Sequence, residues 1–167
     1  MRKEQYREMS AYLSGTKKRS TIVKTLHDIL PAVMYVFYPL QLIYLAVTDG
    51  VLSERFLRVL LIPLCTFLMV TIVRAIINAK RPYEVYDFTP VVEKSTSGKS
   101  FPSRHTVSAF IIAMAFLYLN VHLGVVMLFI AAVIAAVRVL AGVHFVRDVI
   151  GGAAIGIIVG VLGFFVF

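Results

Sequence analysis

A single cysteine, Cys65, stands in the 167-residue chain, so neither a disulfide framework nor a thiolate metal site is available. It lies in the apolar run LIPLCTFLMV and reads as a packed side chain. Charge is scarce as well: 16% of residues are charged, and carboxylates number nine against seventeen lysines and arginines. Too few carboxylates stand near the polar segments to cage a metal ion, and no cofactor is implied. The N-terminal stretch MRKEQYREMSAYLSGTKKRS lacks the apolar core of a secretory signal and reads as a basic, partly amphipathic surface segment. No soluble basic domain is left over to bind nucleic acid. The net charge of +8 is clustered instead at the N-terminus and over residues 74–104, which points to anionic lipid or phosphate at a membrane surface.

What the chain has in abundance is hydrophobic residues, 59% of the total, with a mean hydropathy of +0.86. That places it among integral membrane proteins. Residues 29–48 carry no charge and are long enough to span a hydrocarbon core of about 30 Å, with Pro31 and Pro39 expected to bend the helix. A second span is expected at 56–79, framed by Arg58 and Arg74. Residues 106–137 are uncharged over 32 positions, too many for one crossing, and Asn120-Val121-His122 with Gly124 offers the turn between spans at 102–120 and 124–142. The last span runs from near Arg147 to Phe167 and places Gly152, Gly156 and Gly160 on one face, where a neighbouring helix can come close. The expected fold is an all-α, polytopic membrane helix bundle of about five transmembrane helices. Its domains are a basic surface segment at 1–27 and a catalytic transmembrane domain at 28–167.

Five crossings put the 48–58 loop and the 120–124 turn on one side of the membrane, and the N-terminus, the 80–102 loop and the 142–147 connection on the other. Every unusual polar residue then falls on that second side. Arg74 and Arg81 close span two, Ser103 and His105 open span three, Arg138 closes span four, and His144 with Asp148 opens span five. His144 and Asp148 are four apart, so on a helix they share a face, and the carboxylate there can hold one imidazole nitrogen and leave the other free. His105 arrives from another helix, so one histidine can attack while the other protonates a leaving group. Arg74 and Arg81, seven apart and nearly in register on a helix, meet Arg138, and guanidinium forks suit the oxygens of a phosphate. Ser103, after Pro102, can cap its helix or donate to an anion on the N-terminal amides. A phosphate ester is the target that this set favours.

These residues carry a resemblance to the type 2 phosphatidic acid phosphatase (PAP2) superfamily. Its three signatures are Lys-x6-Arg-Pro, Pro-Ser-Gly-His and Ser-Arg-x5-His-x3-Asp. RAIINAKRP is similar to the first, with Arg74 in place of lysine and Arg81-Pro82 matching. PSRH resembles the second, with Ser103 and His105 matching and Arg104 in place of glycine. VRVLAGVHFVRD resembles the third, with Val137 in place of serine and Arg138, His144 and Asp148 matching. The three lie over residues 74–148, in the family's order.

The resemblance implies that His144 forms a phosphohistidine, that Asp148 orients it, and that His105 protonates the leaving alkoxide and later activates water. It implies further that Arg74, Arg81, Ser103 and Arg138 hold the phosphate, with Arg104 able to reach a second phosphate or to point to the surface, and that no metal takes part. The expected substrate is a lipid phosphomonoester or diphosphate, such as phosphatidic acid, phosphatidylglycerophosphate or a polyprenyl phosphate. The rival readings are a lipid phosphotransferase and a non-catalytic protein that binds anionic lipid. His27 and His122 read as interfacial residues, and Lys80, Lys94 and Lys99 as solvated or headgroup-facing. Tyr83 and Glu84 read equally as pocket lining or loop packing. Arg2, Lys3, Arg7, Lys17, Lys18, Arg19 and Lys24 stand on the site's side against Arg55 and Arg58 on the other, so the positive-inside rule puts the site at the cytoplasmic face.

Overall fold

The computed structural model describes residues 1–94 and 96–167. The described residues form helices joined by short connections: α1 (Lys3–Ser14), α2 (Lys17–Thr48), α3 (Glu54–Ile77), the single turn α4 (Pro82–Tyr86), α5 (Arg104–Leu119), α6 (Val121–Leu140) and α7 (Val146–Val161). A π-helical end at Leu162–Val166 continues α7. Four segments are long and apolar enough to cross a membrane, namely α2, the stretch containing α3, α6, and α7 with its π-helical end. At 16 residues, α5 is shorter, about 24 Å at 1.5 Å per residue. The others enclose it: Thr106, Val107 and every residue from Ala109 to Phe116 are buried. The protein is therefore an all-helical membrane bundle built around α5.

The outer helices present their apolar side chains outward, as a bilayer-facing surface requires. Ile72, Ile76 and Phe129 are among the exposed large hydrophobics. Cys65, expected to be packed, is exposed on α3 for the same reason. Burial in lipid needs no protein partner.

Several boundaries differ from those expected. Helix α2 starts at Lys17 rather than near residue 29 and contains both Pro31 and Pro39. The turn between α5 and α6 is a single residue, Asn120, whose Oδ1 accepts from the Leu123 amide at 3.1 Å and so caps α6. Gly124 consequently lies inside α6 rather than in the turn. Its role is closeness: a Cβ there would come within 2.2 Å of Leu117 Cα on α5.

The glycine face of α7 packs on α5 as expected. A Cβ on Gly152 would meet the Ser103 carbonyl oxygen at 3.0 Å, one on Gly156 the Phe110 Cβ at 2.7 Å, and one on Gly160 the Met114 Cβ at 2.6 Å. These contacts seat α7, with Asp148 at its start, against the helix that begins with Arg104 and His105. Gly156→Leu is accordingly expected to destabilise the bundle by about 1–3 kcal/mol through overpacking, read as a lowered Tm in detergent.

At the other end of the chain, α1 folds back onto the same face of the bundle as the starts of α5 and α7. Tyr6 is fully buried among Tyr86, Phe88 and Phe145, with ring centroids 5.8, 6.2 and 5.7 Å away. Its hydroxyl accepts from the Val146 amide at 3.2 Å, one of the free donors at the start of α7. Ser10 Oγ donates to the Thr89 carbonyl at 2.6 Å.

Candidate active site

Helix α3 ends at Asn78, which adopts a left-handed backbone (φ 43°), and the chain turns sharply before Arg81 opens α4 with Pro82 in its first turn. Arg74 and Arg81 therefore do not share a helix, as their spacing had implied; the turn between them brings both to one cleft. Arg74 donates from its guanidinium to the Pro102 carbonyl. Arg81 donates from Nε to the Gly98 carbonyl at 3.1 Å and from a terminal nitrogen to the Val143 carbonyl at 3.0 Å.

The polar loop before α5 is fastened by these bonds and by Glu84. The Glu84 carboxylate accepts from the Arg81 amide at 2.7 Å and from the Gly98 amide at 3.0 Å. Glu84 is thus a loop clamp. Gly98 is required there, because its φ is 65° and a Cβ would lie 2.3 Å from Asn78 Oδ1.

A cleft of about 280 Å³ opens between these elements, with Arg74, Arg81, Lys94, Arg104, His105 and His144 on its wall and Lys99 at its side. No carboxylate is among its lining residues. Lys94, expected to be solvated, is half-buried here, and burial, followed by the neighbouring guanidiniums of Arg81, Arg138, Arg74 and Arg104, pushes its ammonium down to about 8. Arg104 lies with its guanidinium 5.3 Å from the centre of the Phe67 ring, so the side chain that replaces the family's glycine borders the cleft and rests on an aromatic face.

His144 is in the loop before α7 and not on the helix. Phe145 is the N-cap, Asp148 is the third helical residue, and the carboxylate reaches back so that Oδ2 accepts from the Phe145 amide at 2.9 Å. The i,i+4 pairing is kept by this backward reach rather than by a shared helical face. His144 Nδ1 is 3.6 Å from Asp148 Oδ2, an ion-pair contact at the long edge of hydrogen bonding. Ser100 Oγ lies between them, 2.5 Å from Asp148 Oδ2 and 3.4 Å from His144 Nδ1. Asp148 is fully buried, and its other oxygen has no hydrogen-bond partner among the described residues.

The His144 Nε2 likewise has no hydrogen-bond partner among the described residues, and the ring lines the cleft. Burial, reinforced by Arg81 and Arg74 against the opposing pull of Asp148, lowers the His144 imidazole to about 4. It is neutral at neutral pH, with a lone pair available for attack.

Ser103 and Arg138 are at the same end of the bundle but off the cleft wall. Ser103 is the N-cap of α5 by position, yet its hydroxyl accepts from Thr106 Oγ1 at 3.0 Å instead of capping a backbone amide. Its amide donates to the Asp148 carbonyl at 2.9 Å. Arg138 is buried and its guanidinium is 2.6 Å from His27 Nε2. His27 is therefore no interfacial residue, being 7% exposed inside the bundle. His122, in contrast, is exposed at the opposite end.

Sequence reasoning missed Ser100, Lys94 and His27. Lys94 and His27 carried a signal, a charged or titratable side chain in a segment bound to lie on the site's face. Ser100 carried none beyond its place two residues before Pro102.

An all-helical membrane bundle with a histidine, a buried aspartate and clustered arginines at one end defines a class, and the comparisons with known proteins give the family. Residues 55–167 match the model of the PAP2 superfamily, and the chain belongs to that family. Among solved structures it is similar to LpxE of Aquifex aeolicus, with 26% identity and a TM-score of 0.73, over 96% of this chain and 92% of that one. It shares its fold also with a transmembrane PAP2 type phosphatidylglycerolphosphate phosphatase from Bacillus subtilis, at 23% identity and a TM-score of 0.64, over 96% and 83% of the two chains. No curated protein sequence matches significantly.

Proposed function

We propose that this protein is a membrane lipid phosphatase that hydrolyses a lipid phosphomonoester or diphosphate through a phosphohistidine on His144. The observation that carries the reading is the position of His105. It lines the cationic cleft on one side and a narrow apolar crevice on the other, where Pro31, Met34, Ile112 and Ile134 lie and Tyr35 forms an exposed rim. The phosphate end of such a substrate suits the cationic cleft of about 280 Å³, while the crevice, at about 10 Å³, takes no acyl chain, so the hydrocarbon end stays in the bilayer beside it.

In this mechanism His144 Nε2 attacks phosphorus and the bond from phosphorus to the leaving oxygen breaks, with His105 supplying the proton to that oxygen. Water then attacks the phosphohistidine, His105 takes its proton, and the nitrogen–phosphorus bond breaks to release inorganic phosphate. Asp148 steadies the imidazole as it gains charge. Arg74 and Arg81 hold the phosphate oxygens from the cleft wall, with Arg138 and Ser103 supporting from behind and Arg104 at the rim. The catalytic part is residues 28–167, and the basic segment at 1–27 is anchored to it by the buried side chains of Tyr6 and His27.

The test is phosphate release from a panel of lipid phosphates, namely phosphatidic acid, phosphatidylglycerophosphate and polyprenyl mono- and diphosphates, in mixed micelles. Turnover of at least one is expected, and it persists in excess chelator because the cleft cations supply the positive field. Activity lost in chelator and restored by one divalent ion would overturn the metal-independent route. Phosphate appearing on an acceptor lipid instead of free in solution would make the protein a phosphotransferase.

The site is proposed to face the cytoplasm. Leaving out every cleft-lining cation, Arg2, Lys3, Arg7, Lys17, Lys18, Arg19, Lys24 and Lys80 remain on its side. On the other, Arg55 and Arg58 are each paired with a carboxylate, Asp49 and Glu54. With single cysteines at Ser97 and Asp49 in a Cys65→Ala background, an impermeant thiol reagent on intact cells is expected to label position 49 and spare 97. The reverse pattern would place the site outside.

A further inference from the structure

We infer that Ser100 is the positioning residue of the nucleophile: its hydroxyl, placed between Asp148 and His144, relays the carboxylate's hold on the imidazole. The inference rests on His144 being the attacking group, and it concerns how that group is held. A hydroxyl has one proton to give and two lone pairs to offer. The proton goes to Asp148 Oδ2, at 2.5 Å the distance of a charge-assisted O–H···O⁻ bond. A lone pair then faces His144 Nδ1 at 3.4 Å, nearer than the carboxylate oxygen at 3.6 Å, so the hydroxyl shares with Asp148 in holding the ring N–H. With its only proton committed to the carboxylate, Ser100 cannot donate to Nδ1 as well. The proton of the neutral ring is therefore fixed on Nδ1, and Nε2 is left with its lone pair toward the cleft.

The backbone of Ser100 locks this arrangement from the other direction. Its amide donates to the Ala79 carbonyl at 2.8 Å, in the turn between Arg74 and Arg81, and the residue is fully buried. Neighbouring bonds, from Arg81 to Gly98 and from Arg74 to Pro102, stitch both sides of the same loop to the phosphate-binding arginines. One residue thus sets the nucleophile relative to the groups that hold its target. No part of the three resembling motifs contains Ser100, and no charge or spacing singled it out.

The experiment compares wild type with Ser100→Thr, Ser100→Cys and Ser100→Ala in purified, detergent-solubilised protein, reading kcat, KM and the rate of phosphohistidine formation in a single turnover. Alanine is expected to lower kcat and phosphohistidine formation on the order of 10–100-fold, as losing the partner that orients a histidine does, with KM within about twofold. Threonine keeps the hydroxyl and is expected to recover most of the rate; near-isosteric cysteine, a weak donor, falls between. Cysteine as fast as serine, or threonine no better than alanine, overturns the relay and leaves Ser100 a packing residue. If His144→Ala keeps its activity, it is the nucleophile assignment that fails, and the Ser100 series is read only where His144→Ala is dead.

Discussion

Replacing His144 by alanine is expected to abolish phosphate release, with a loss of at least about 10⁴-fold, because no other side chain on the cleft wall offers an unpartnered nitrogen in the same place. The other imidazole, His105, comes from the start of α5, and the remaining lining groups are cations, hydroxyls, the Ala75 methyl or backbone. Phosphoenzyme trapping by acid quench should find label on the wild type and none on the variant. The wild-type pH profile carries a second mark of the same group. Its folded value is depressed to about 4, so the attacking neutral form is complete at neutral pH and is lost only as pH falls through that region. An acid limb near the ordinary histidine value, assigned to His144 by its absence from residual activity in a variant, would contradict the buried placement. Turnover by His144→Ala above one part in a hundred of wild type would end the phosphohistidine mechanism.

Asp148→Asn is the second large effect. Asparagine has the same shape, and its amide oxygen can still accept from the Phe145 amide and the Ser100 hydroxyl, so the start of α7 is expected to form normally. What is lost is the negative charge, which lies in a fully buried position where no solvent substitutes for it. In the proposed mechanism the imidazole becomes cationic as it takes the phosphoryl group, and that charge is what the carboxylate would stabilise. A fall in kcat of about 10²–10⁴-fold, with KM little changed and Tm close to wild type, is the expected outcome. A kcat within fivefold of wild type would show that Asp148 serves only as a helix cap.

Much of this arrangement was legible in the sequence because hydrophobic runs and their interruptions are set by the bilayer. Charge-free runs located the helices, and counting crossings put Arg74, Arg81, His105, His144 and Asp148 at one end. What could not be read was local geometry. Arg74 and Arg81 fit a helical period, yet Asn78 takes a left-handed conformation and ends the helix between them. His144 and Asp148 fit one too, and the pairing survived for a different reason, a carboxylate capping backward. Gly124 was read as a turn glycine because the run was too long for one crossing; the chain turns on Asn120 instead, and the glycine serves helix contact. Ser100, Glu84 and His27 act through tertiary partners 14 to 111 residues away, and no local pattern encodes such a partner.

The bond from Tyr6 to the start of α7 joins residues 140 apart, and this sets an order of events during synthesis. At about 5–20 residues per second, roughly 7–28 s separate the emergence of the two partners. Through that interval α1 has only part of its aromatic socket, Tyr86 and Phe88, since Phe145 arrives together with the amide that Tyr6 accepts from. The arginines and His105 are already in place by then, a cationic pit without its aspartate. Completion of the last helix therefore closes the ring of contacts and supplies Asp148 in one step, so a chain stalled before α7 carries both histidines and the clustered arginines and lacks only the carboxylate that stands beside His144.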